Sequence, residues 1–392
     1  MNVLRREFYK NLIIRILRFF LRLFCIIPIK KKIVFASFQG KQFSCNPKYI
    51  FLSVYEKYGN KIEYVWCLNK KSAELEAFQN VKTCKFMSLS FFYHVLTSSV
   101  YISNLAIEPF LPKRKKQLFI NTWHGGGAYK KFHVFFRNNI YLTEREKYRA
   151  KITDYVISSC QAFTDANNEL WCMPKEKFIP VGMPRNDFLV NHSNDDKLFQ
   201  KLRSKYSIPE NKKVILYAPT FRGVLSNNNA SNQKEIQIDI NSIVLSAKKR
   251  FESDFIVLYR CHQSMLGKNI ELKNMIDVSQ FDDTQEVLMI SDILITDYSS
   301  IIWDYALLNR PCFLFTPDLD EYSNENGFFT PIEKWAFKYS KTNDELCKLI
   351  DSFDEEKNFE RIREHQKMMG SFETGNAGIE IINRIDKILE VL

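Results

Sequence analysis

The stretch that decides the fold is residues 292–306, which read DILITDYSSIIWDYA. The run Ile293–Ile295 is short, apolar and β-branched, as in a buried strand, and Ile301–Leu308 has the apolar spacing of a helix. The turn between them contains four polar residues, Thr296, Asp297, Ser299 and Ser300. Hydroxyls and backbone amides at a helix start can bind phosphate, whereas serines there also cap helices, so both interpretations stay open at this point.

The same alternation of short apolar runs and helical patterns continues on both sides of this stretch. Apolar strands of about five residues separated by helices indicate buried parallel sheets built from repeated βα units. The predicted strands form a first series and a second series: Lys32–Ser37, Tyr64–Leu68, Val100–Asn104, Leu118–Trp123, Tyr155–Ser159 and Phe178–Val181, then Val214–Ala218, Phe255–Arg260, Met275–Val278, Ile293–Thr296 and Cys312–Phe315.

A polar segment at residues 191–213 separates the two series of strands. We therefore predict an α/β chain with two Rossmann-like domains, residues 32–205 and 206–370. A final helix, residues 371–392, could cross back to the first domain. Open parallel sheets bind ligands at the carboxyl ends of their strands, so we expect the active site in the cleft between the two domains.

Two further motifs follow strands of the second series. The motif Tyr-Ala-Pro-Thr-Phe-Arg places Thr220 and Arg222 where they can bind phosphate, although a lone arginine there is more often a surface ion pair. The motif Tyr-Arg-Cys-His ends the next strand, and strand alternation points Arg260 and His262 in one direction. Both side chains can therefore face one ligand.

A histidine beside three glycines follows a strand of the first series. The motif Asn-Thr-Trp-His-Gly-Gly-Gly covers residues 121–127 and is followed by Lys130. Glycine lets a backbone approach a ligand closely, and a histidine at a strand end is well placed for proton transfer. A lone histidine is more often structural, but this pattern favours a functional His124. The motif is similar to the oxyanion turn of lipases, yet the chain has no Gly-x-Ser-x-Gly motif to supply their nucleophile.

The acidic pairs and the cysteines give no prediction of a metal site. Asp318 and Asp320 fit the Asp-x-Asp pattern of some glycosyltransferases, but no histidine or cysteine lies nearby. Asp282 and Asp283 precede a helix that begins near Thr284, where helix capping is the ordinary role. The nine cysteines lack CxxC spacing, which argues against a zinc site and a disulfide framework. We therefore predict no metal and no cofactor.

Together these motifs resemble those of the CDP-glycerol glycerophosphotransferase family, whose members make teichoic-acid-type polymers and have a GT-B-like fold. The match spans about residues 118–330 and lies in the following residues: Trp123-His124-Gly125, Lys130, Gly182 to Asp187, Tyr217 to Arg222, Arg260 to His262, Asp277 to Ser279, Ser291-Asp292, Thr296 to Ser300, Asp304-Tyr305 and Asp320 to Tyr322. The chain departs from the family pattern at Asn121, Gln263 and Asn326, where the family has glutamine, proline and arginine.

The resemblance implies an enzyme that moves a polyol phosphate from CDP-glycerol, or a related CDP-polyol, to a lipid-linked acceptor and releases CMP. It implies that His124 and His262 are catalytic, and we expect His124 to be the general base. The motifs do not distinguish glycerol from ribitol, or one added unit from many. The expected donor contacts are Thr220, Arg222, Arg260, Thr284, Glu286, Asp297, Ser299 and Ser300, and the expected acceptor contacts are Gly125, Lys130 and Arg185.

The N-terminal segment carries most of the net charge. Residues 1–33 contain nine Lys or Arg and one Glu, a net +8 of the chain's +11, so the rest of the chain is nearly balanced. The charge is therefore no signal for nucleic acid. The longest uncharged run, Leu23–Ile29, is much shorter than the ~20 apolar residues of a spanning helix. Arginines also interrupt the apolar core that a signal peptide would need.

Residues 1–31 predict an amphipathic helix at a membrane surface. On a helix, one polar stripe forms among apolar residues: Glu7, Asn11, Arg15, Arg18 and Arg22. Such a helix would lie in an anionic membrane surface with its arginines among the headgroups, while packing on the enzyme's own body is the alternative. We therefore expect a peripheral protein at the cytoplasmic face of the cell membrane, with no nucleic-acid partner and with its oligomeric state left open.

Two other functions stay open from the sequence. A GT-B glycosyltransferase with a nucleotide-sugar donor would share the phosphate-binding features and would differ in the nucleotide released. A non-catalytic membrane-binding or polyanion-binding protein would depend on the basic leader alone. Deletion of residues 1–30 separates this last class from an enzyme, since an enzyme would keep its turnover on a soluble acceptor analogue.

Overall fold

The computed structural model of the chain describes residues 3–131, 139–220, 237–261 and 274–390. Two of the predicted site residues, Arg222 and His262, lie outside these ranges. The chain divides into two compact units. The first comprises Met1–Gly126, His133–Val190 and Gly370–Leu392, and the second comprises Gly127–Phe132 and Asn191–Met369.

The first unit contains a seven-stranded sheet in which all neighbouring strands are parallel. Its strands are β1 (Lys30–Ala36), β2 (Glu63–Cys67), β3 (Val81–Cys84), β4 (Ser98–Ser103), β5 (Leu118–Asn121), β6 (Tyr155–Ser158) and β7 (Phe178–Pro180). The spatial order is β3-β2-β1-β4-β5-β6-β7, so the direction of winding reverses between β1 and β4. In open α/β sheets the ligand crevice lies beside the carboxyl ends of the strands at such a reversal.

The second unit contains a six-stranded parallel sheet of the same design. Its strands are β8 (Lys212–Tyr217), β9 (Asp254–Tyr259), β10 (Ile276–Asp277), β11 (Ile293–Thr296), β12 (Cys312–Phe315) and β13 (Tyr339–Ser340). The spatial order is β10-β9-β8-β11-β12-β13, and the winding reverses between β8 and β11. The carboxyl ends of these two strands therefore mark the corresponding ligand position in this sheet.

Helices connect the strands and cover the sheets. Among the described residues they are α1 (Val3–Leu21), α2 (Cys45–Tyr58), α3 (Ala73–Glu76), α4 (Leu89–Leu96), α5 (Ile140–Ile152), α6 (Gln161–Asn167), α7 (Pro184–His192), α8 (Asp196–Lys205), α9 (Ile240–Phe251), α10 (Thr284–Met289), α11 (Ile301–Ala306), α12 (Leu319–Asn326), α13 (Asn343–Asp351), α14 (Glu355–Met369) and α15 (Ala377–Leu389). The C-terminal helix α15 packs Ile381 and Ile385 into the core of the first unit.

Both faces of the first sheet are buried, because successive side chains of a strand point to opposite faces. In β1, Ile33 and Phe35 enter one core with Trp66, while Val34 and Ala36 enter the core on the other face. Burial of each large apolar side chain stabilises the fold by about 1.5–3 kcal/mol. This two-sided burial explains why the strands appear in the sequence as uninterrupted apolar runs.

The α/β class, the two parallel Rossmann-like sheets and the N-terminal helix are confirmed. All eleven predicted strands are present, with ends that differ by a few residues at most. The sequence does not predict β3 and β13, which are short strands at the edges of their sheets. In β3 the side chains of Lys82 and Thr83 are exposed, so the strand has no apolar run to recognise.

The helix α1 is amphipathic, but its polar stripe faces the protein. Glu7 and Asn11 are buried, and Asn11 Nδ2 donates to the carbonyl of Tyr141 in α5 at 3.0 Å. The guanidinium of Arg18 lies 3.2 Å above the ring centroid of Tyr148, also in α5. Arg18 Nε donates to the carbonyl oxygen of Pro109 at 3.2 Å, and Arg15 forms an ion pair with Glu144 of α5. Arg15 and Arg18, which the sequence analysis expects among lipid headgroups, therefore contact acceptors of the chain itself, and the membrane-surface position of the helix stays a prediction.

The opposite side of α1 is an exposed apolar stripe. We define this stripe by seven side chains, each at least 43% exposed: Leu4, Phe8, Leu12, Ile13, Ile16, Phe19 and Phe20. Leu23 and Ile26 continue the exposed apolar surface beyond the end of the helix. In the described part of the chain, no helix has the length and apolarity that crossing a membrane requires. Large exposed apolar surfaces of this kind mark interaction sites.

Candidate functional site

His124 lies in a tight turn at the carboxyl end of β5. The backbone N–H of Thr122 donates to the carbonyl of Ser103 in β4 at 2.8 Å, and the N–H of Trp123 donates to Asn121 Oδ1 at 2.9 Å. Trp123 has a φ of 51°, in the left-handed region. That conformation costs a residue with a side chain about 1–2 kcal/mol, so surrounding contacts must stabilise the turn.

The imidazole of His124 is half-buried and oriented by a backbone carbonyl. Its Nδ1 lies 3.0 Å from the carbonyl oxygen of Asn104, which follows β4. A carbonyl can only accept a hydrogen bond, so Nδ1 carries the proton and Nε2 of the neutral ring is the atom that can take up a proton. The rings of Phe38 and Trp123 pack against the imidazole, with centroid distances of 5.6 and 4.5 Å.

Buried side chains bind three successive carbonyls of this turn. Asn46 Nδ2 donates to the carbonyls of Thr122 and Trp123, each at 3.0 Å. Arg185 Nη1 donates to the carbonyl of His124 at 2.8 Å and contacts Cys45 Sγ at 3.1 Å. Arg185, which the sequence analysis predicts as an acceptor contact, thus lies beside His124 with its guanidinium buried against the turn. Asn46 was missed, because a single asparagine before a proline has no periodicity that would single it out.

The rest of the Gly-Met-Pro-Arg-Asn-Asp motif fastens the C-terminal segment to the first unit. Glu373 accepts hydrogen bonds from the N–H of Met183 at 3.0 Å and from Asn186 Nδ2 at 3.1 Å. The carboxylate of Asp187 accepts from the first backbone N–H groups of α15, at 3.0 and 2.7 Å. Burial raises the pKa of Asp187, although these bonds oppose the rise. Gly182 has a φ of 83°, and a Cβ there would lie 2.8 Å from Glu373, so this position requires glycine.

The two other predicted acceptor contacts lie in different units. Gly125 is buried directly after His124 in the first unit. Lys130 belongs to the second unit, where it forms an isolated antiparallel bridge with Phe328. Its neighbour Tyr129 is anchored there by a 3.0 Å hydrogen bond between its hydroxyl and His365 Nε2. Burial lowers the pKa of His365, which also contacts a backbone carbonyl through Nδ1.

In the second sheet, Thr220 and Asp297 follow the adjacent strands β8 and β11. The backbone N–H of Thr220 lies 3.0 Å from both carboxylate oxygens of Asp297, which is buried. Thr296 Oγ1 donates to the carbonyl of Ala218 at 2.6 Å and ties the same two strand ends together. The structure thus brings these predicted donor contacts together, and the Asp297 carboxylate binds the protein's own backbone.

The two serines begin the helix α11. Ser299 Oγ accepts a hydrogen bond from the N–H of Ile301 at 3.3 Å, so it satisfies one N–H of the helix start without being the N-cap residue. Ser300 stands at the N-cap position, where its side chain makes no capping hydrogen bond. Both serines are half-buried. The capping prediction is confirmed for Asp283, whose Oδ1 accepts from the N–H of Gln285 at 3.0 Å.

Arg260, which follows β9, is buried and binds the segment 278–284. Its Nη1 donates to the carbonyls of Val278 and Phe281 at 3.0 and 2.8 Å, and its Nη2 donates to Thr284 Oγ1 at 3.0 Å. Two predicted donor contacts, Arg260 and Thr284, therefore bind each other. Glu286 lies in α10, where it accepts from the Tyr206 hydroxyl at 2.8 Å.

The acidic pair at 318–320 makes contacts with the protein. Asp318 accepts a hydrogen bond from the hydroxyl of Tyr298 at 3.0 Å, and Asp320 forms an ion pair with Lys341 at 3.0 Å. Within residues 3–131, 139–220, 237–261 and 274–390, no three or more His, Cys, Asp or Glu side chains are grouped to hold a metal ion.

Comparison with known proteins identifies relatives over nearly the whole chain. The family model described as CDP-Glycerol:Poly(glycerophosphate) glycerophosphotransferase matches residues 19–387. A teichoic acid poly(glycerol phosphate) polymerase of Bacillus spizizenii is 29% identical over 96% of this chain and 98% of its own length. A polymerase of the same name from Staphylococcus epidermidis is 32% identical over 76% of this chain, which spans only 42% of that longer relative.

A solved structure supports the same relationship. The wall teichoic acid polymerase TagF, in a histidine-to-alanine variant, aligns with a TM-score of 0.80 and 27% identity over 100% of this chain and 99% of that chain. This likeness confirms the predicted GT-B-like fold class.

Proposed function

Because the chain belongs to the CDP-glycerol:poly(glycerophosphate) glycerophosphotransferase family, we propose that it transfers glycerol phosphate from CDP-glycerol to a membrane-linked acceptor and releases CMP. The names of its relatives favour a role in the synthesis of a teichoic-acid-type polymer and favour glycerol over ribitol. The observation that carries the proposal is the geometry of His124, whose Nδ1 is bound to the Asn104 carbonyl.

In the proposed reaction His124 is the general base. The acceptor hydroxyl attacks the phosphorus atom of the glycerol phosphate group, and a new P–O bond forms. The bond from that phosphorus to the bridging oxygen breaks, so its electron pair leaves with CMP. The hydroxyl proton moves to His124 Nε2, and the Asn104 carbonyl stabilises the imidazolium through the Nδ1–H. General-base catalysis of this kind typically contributes about 10²–10⁴-fold to the rate.

For the donor we propose binding at the carboxyl edge of the second sheet. Thr220, Ser299 and Ser300 bring hydroxyls and backbone amides to this edge, and such groups bind phosphate oxygens. Arg222 and His262, outside the described residues, follow β8 and β9 in the sequence and are the proposed cationic partners of the departing CMP. Arg260 would support this edge by ordering the segment 278–284.

The test is nucleotide release by the purified chain with a lipid-linked acceptor and a panel of donors, namely CDP-glycerol, CDP-ribitol and UDP-sugars. We expect CMP release from CDP-glycerol and a loss of about 10²–10⁴-fold in His124→Ala. His192→Ala makes the same chemical change at a half-exposed position of α7 and should keep full turnover.

The other outcomes of this assay are equally informative. Release of UDP without CMP would place the chain among the nucleotide-sugar glycosyltransferases. CMP release from CDP-ribitol alone would keep the reaction but change the polyol. Near-full turnover by His124→Ala would show that this histidine is not the base, even if the donor is correct.

We also propose that the exposed apolar stripe of α1 holds the enzyme on an anionic membrane surface. The stripe lies on the side of α1 opposite to the α5 contacts, and the exposed basic residues beside it are Arg5, Arg6, Arg22, Lys30 and Lys31. Basic residues near an anionic bilayer contribute about 1 kcal/mol each, and apolar side chains insert between the headgroups. A lipid-linked acceptor would then be within reach of an enzyme that stays at the same surface.

Vesicle co-sedimentation tests this placement. We expect the chain to bind vesicles that contain phosphatidylglycerol more tightly than vesicles of phosphatidylcholine alone. The double variant Phe19→Ser/Phe20→Ser should lose most of this binding, because it removes the apolar part of the contact. Phe359→Ser changes an exposed phenylalanine on α14 and serves as the matched control. Equal binding by the double variant and the control would exclude the stripe as the membrane contact.

A further inference from the structure

We infer that Asn46 and Arg185 are positioning residues that hold the His124 turn in the geometry that proton transfer requires. The inference rests on the proposed function, in which His124 is the general base. Neither residue is assigned a contact with the reacting atoms. Both act through the backbone carbonyls that precede and include His124.

The turn needs such support because its backbone is unusual. Trp123 has a φ of 51°, a conformation that a residue with a side chain adopts only where its surroundings impose it. Asn46 and Arg185, from other elements, donate to the carbonyls of Thr122, Trp123 and His124, in addition to the local bond from the Thr122 hydroxyl to the Trp123 carbonyl at 3.2 Å. Residues distant in sequence therefore contribute to the conformation of the turn.

Asn46 is the centre of this support. Its side chain is completely buried at the second position of α2. Nδ2 donates to two carbonyls of the turn, and Oδ1 accepts from the backbone N–H of Arg185 at 3.2 Å. One amide group thus links the start of α2, the start of α7 and the His124 turn.

Arg185 completes the support with a charged donor. The side chain is only 6% exposed, and its Nη1 lies 2.8 Å from the carbonyl oxygen of His124 itself. Hydrogen bonds from a guanidinium are short and directional, so this bond sets the position of the His124 backbone. The sequence predicts Arg185 as an acceptor contact, and the two roles lead to different kinetics.

The consequence for catalysis follows from the imidazole. The Nδ1 contact with the Asn104 carbonyl, at 3.0 Å, holds the ring in one tautomer with an unprotonated Nε2. A turn released from Asn46 or Arg185 would move the ring relative to that carbonyl, and the two tautomers would mix. A displacement of about 1 Å from the productive geometry costs on the order of 100-fold in rate.

Steady-state kinetics with CDP-glycerol give the first test. Asn46→Ala should lower kcat by about 10–100-fold while KM for CDP-glycerol changes little. Asn186→Ala is the matched control, since Asn186 is a fully buried asparagine of the same region whose amide binds Glu373 instead of the turn. Equal losses of kcat in the two variants would show general destabilisation and would overturn the inference.

Arg185 variants separate positioning from acceptor binding. Arg185→Met should lower kcat, and Arg185→Lys should recover part of the loss because it retains one cationic donor. A raised KM for the acceptor with unchanged kcat would assign Arg185 to the acceptor and overturn its positioning role.

A spectroscopic measurement keeps this inference distinct from the proposed function. In protein with ¹⁵N-labelled histidine, with the signal assigned by its loss in His124→Gln, neutral His124 should show the Nδ1–H tautomer. Asn46→Ala and Arg185→Met should shift it toward a mixture, whereas Asn186→Ala should not. An unchanged tautomer in both variants, with kcat intact, would overturn the inference while an inactive His124→Ala would still support the proposed function. Full activity of His124→Ala would overturn the proposed function, whatever the tautomer.

Discussion

The carboxyl edges of the two parallel sheets carry motifs of the same kind, but the buried polar side chains have different partners at the two edges. At the first edge, Asn46 and Arg185 bind the backbone of a turn, and the half-buried imidazole of His124 stands on that turn. At the second edge, the charged motif residues Arg260 and Asp297 themselves bind backbone groups of their own unit.

This difference shows that a charged residue at a strand end is not by itself a ligand contact. A buried guanidinium or carboxylate must be satisfied, because leaving it without partners costs several kcal/mol. Arg260 donates hydrogen bonds to backbone carbonyls, and Asp297 accepts one from a backbone N–H. Both side chains therefore shape the edge through contacts with backbone groups of the second unit.

The largest change in stability is expected at Arg260. Arg260→Met removes the donor of two carbonyls and of the Thr284 hydroxyl, in buried or partly buried contacts, so the free energy of unfolding should fall by about 3 kcal/mol. Urea unfolding followed by circular dichroism measures the loss. Arg250→Met is the control, since Arg250 also binds a carbonyl but is exposed on α9. If both variants were equally stable while donor binding was lost in Arg260→Met, Arg260 would be a donor contact and the contrast between the edges would fail.

The first edge also contains a titrating acid, Glu108, in the segment that follows β4. Burial raises its pKa from 4.5 to about 7, although the hydroxyl of Tyr101 donates to it at 3.0 Å. Between about pH 4.5 and 7, Glu108 therefore keeps its proton in the folded protein and has released it in the unfolded chain. The contribution of protonated Glu108 to the free energy of unfolding is complete below pH 4.5 and is lost as the pH rises through about 7. The free energy of unfolding changes by about 3 kcal/mol over this range.

Glu108→Gln tests this pH dependence. The amide keeps an acceptor for Tyr101 but does not titrate, so unfolding free energies measured from pH 5 to 8 should diverge by about 2–3 kcal/mol in favour of the variant at the alkaline end. Glu333→Gln, at an exposed position, should follow the wild-type curve. Parallel curves for Glu108→Gln and the wild type would show that the buried acid does not titrate in this range.

A smaller effect is expected at Asp297. Asp297→Asn retains one acceptor for the N–H of Thr220 and loses the charge, so the free energy of unfolding should fall by about 1–2 kcal/mol. KM for CDP-glycerol should rise moderately, because the adjacent hydroxyls and amides would be less well ordered. An unchanged stability with complete loss of donor binding would mean that the carboxylate contacts the donor directly.

The smallest effect on stability is expected in the exposed apolar stripe of α1. Its variants give a reference value of the free energy of unfolding for the variants at both sheet edges. Phe19→Ser should change the free energy of unfolding by less than about 0.5 kcal/mol, since Phe19 is 68% exposed. Leu21→Ala, at a position only 3% exposed in the same helix, should cost about 2–4 kcal/mol. Comparable losses in the two variants would show that the stripe packs on the protein in solution.

Much of the fold could be predicted from local pattern. The eleven predicted strands are mostly apolar runs bounded by turns, and the repeated βα units imply parallel sheets. The edge strand β3 was out of reach, because its two exposed middle residues, Lys82 and Thr83, leave no apolar run. His124 was recognisable from its glycines, whereas Asn46 was not, since its partners lie 76 and 77 residues away.

The orientation of α1 is a feature that the sequence pattern could not predict. Its amphipathic character is evident from the sequence, but either stripe could face the protein. Most partners of the polar stripe lie on α5, 129 to 138 residues later, so only the folded chain brings them together.

By itself, the amino-acid sequence determined the α/β class, the central strands and the family, because periodicity and short motifs are local properties of a chain. The tertiary structure decided which polar residues of the motifs bind the protein's own backbone. Arg185 and Arg260 both stand in family motifs, yet each is buried and bound to carbonyls. Burial depends on elements distant in sequence, and burial determines whether a charged side chain must find its partners within the protein.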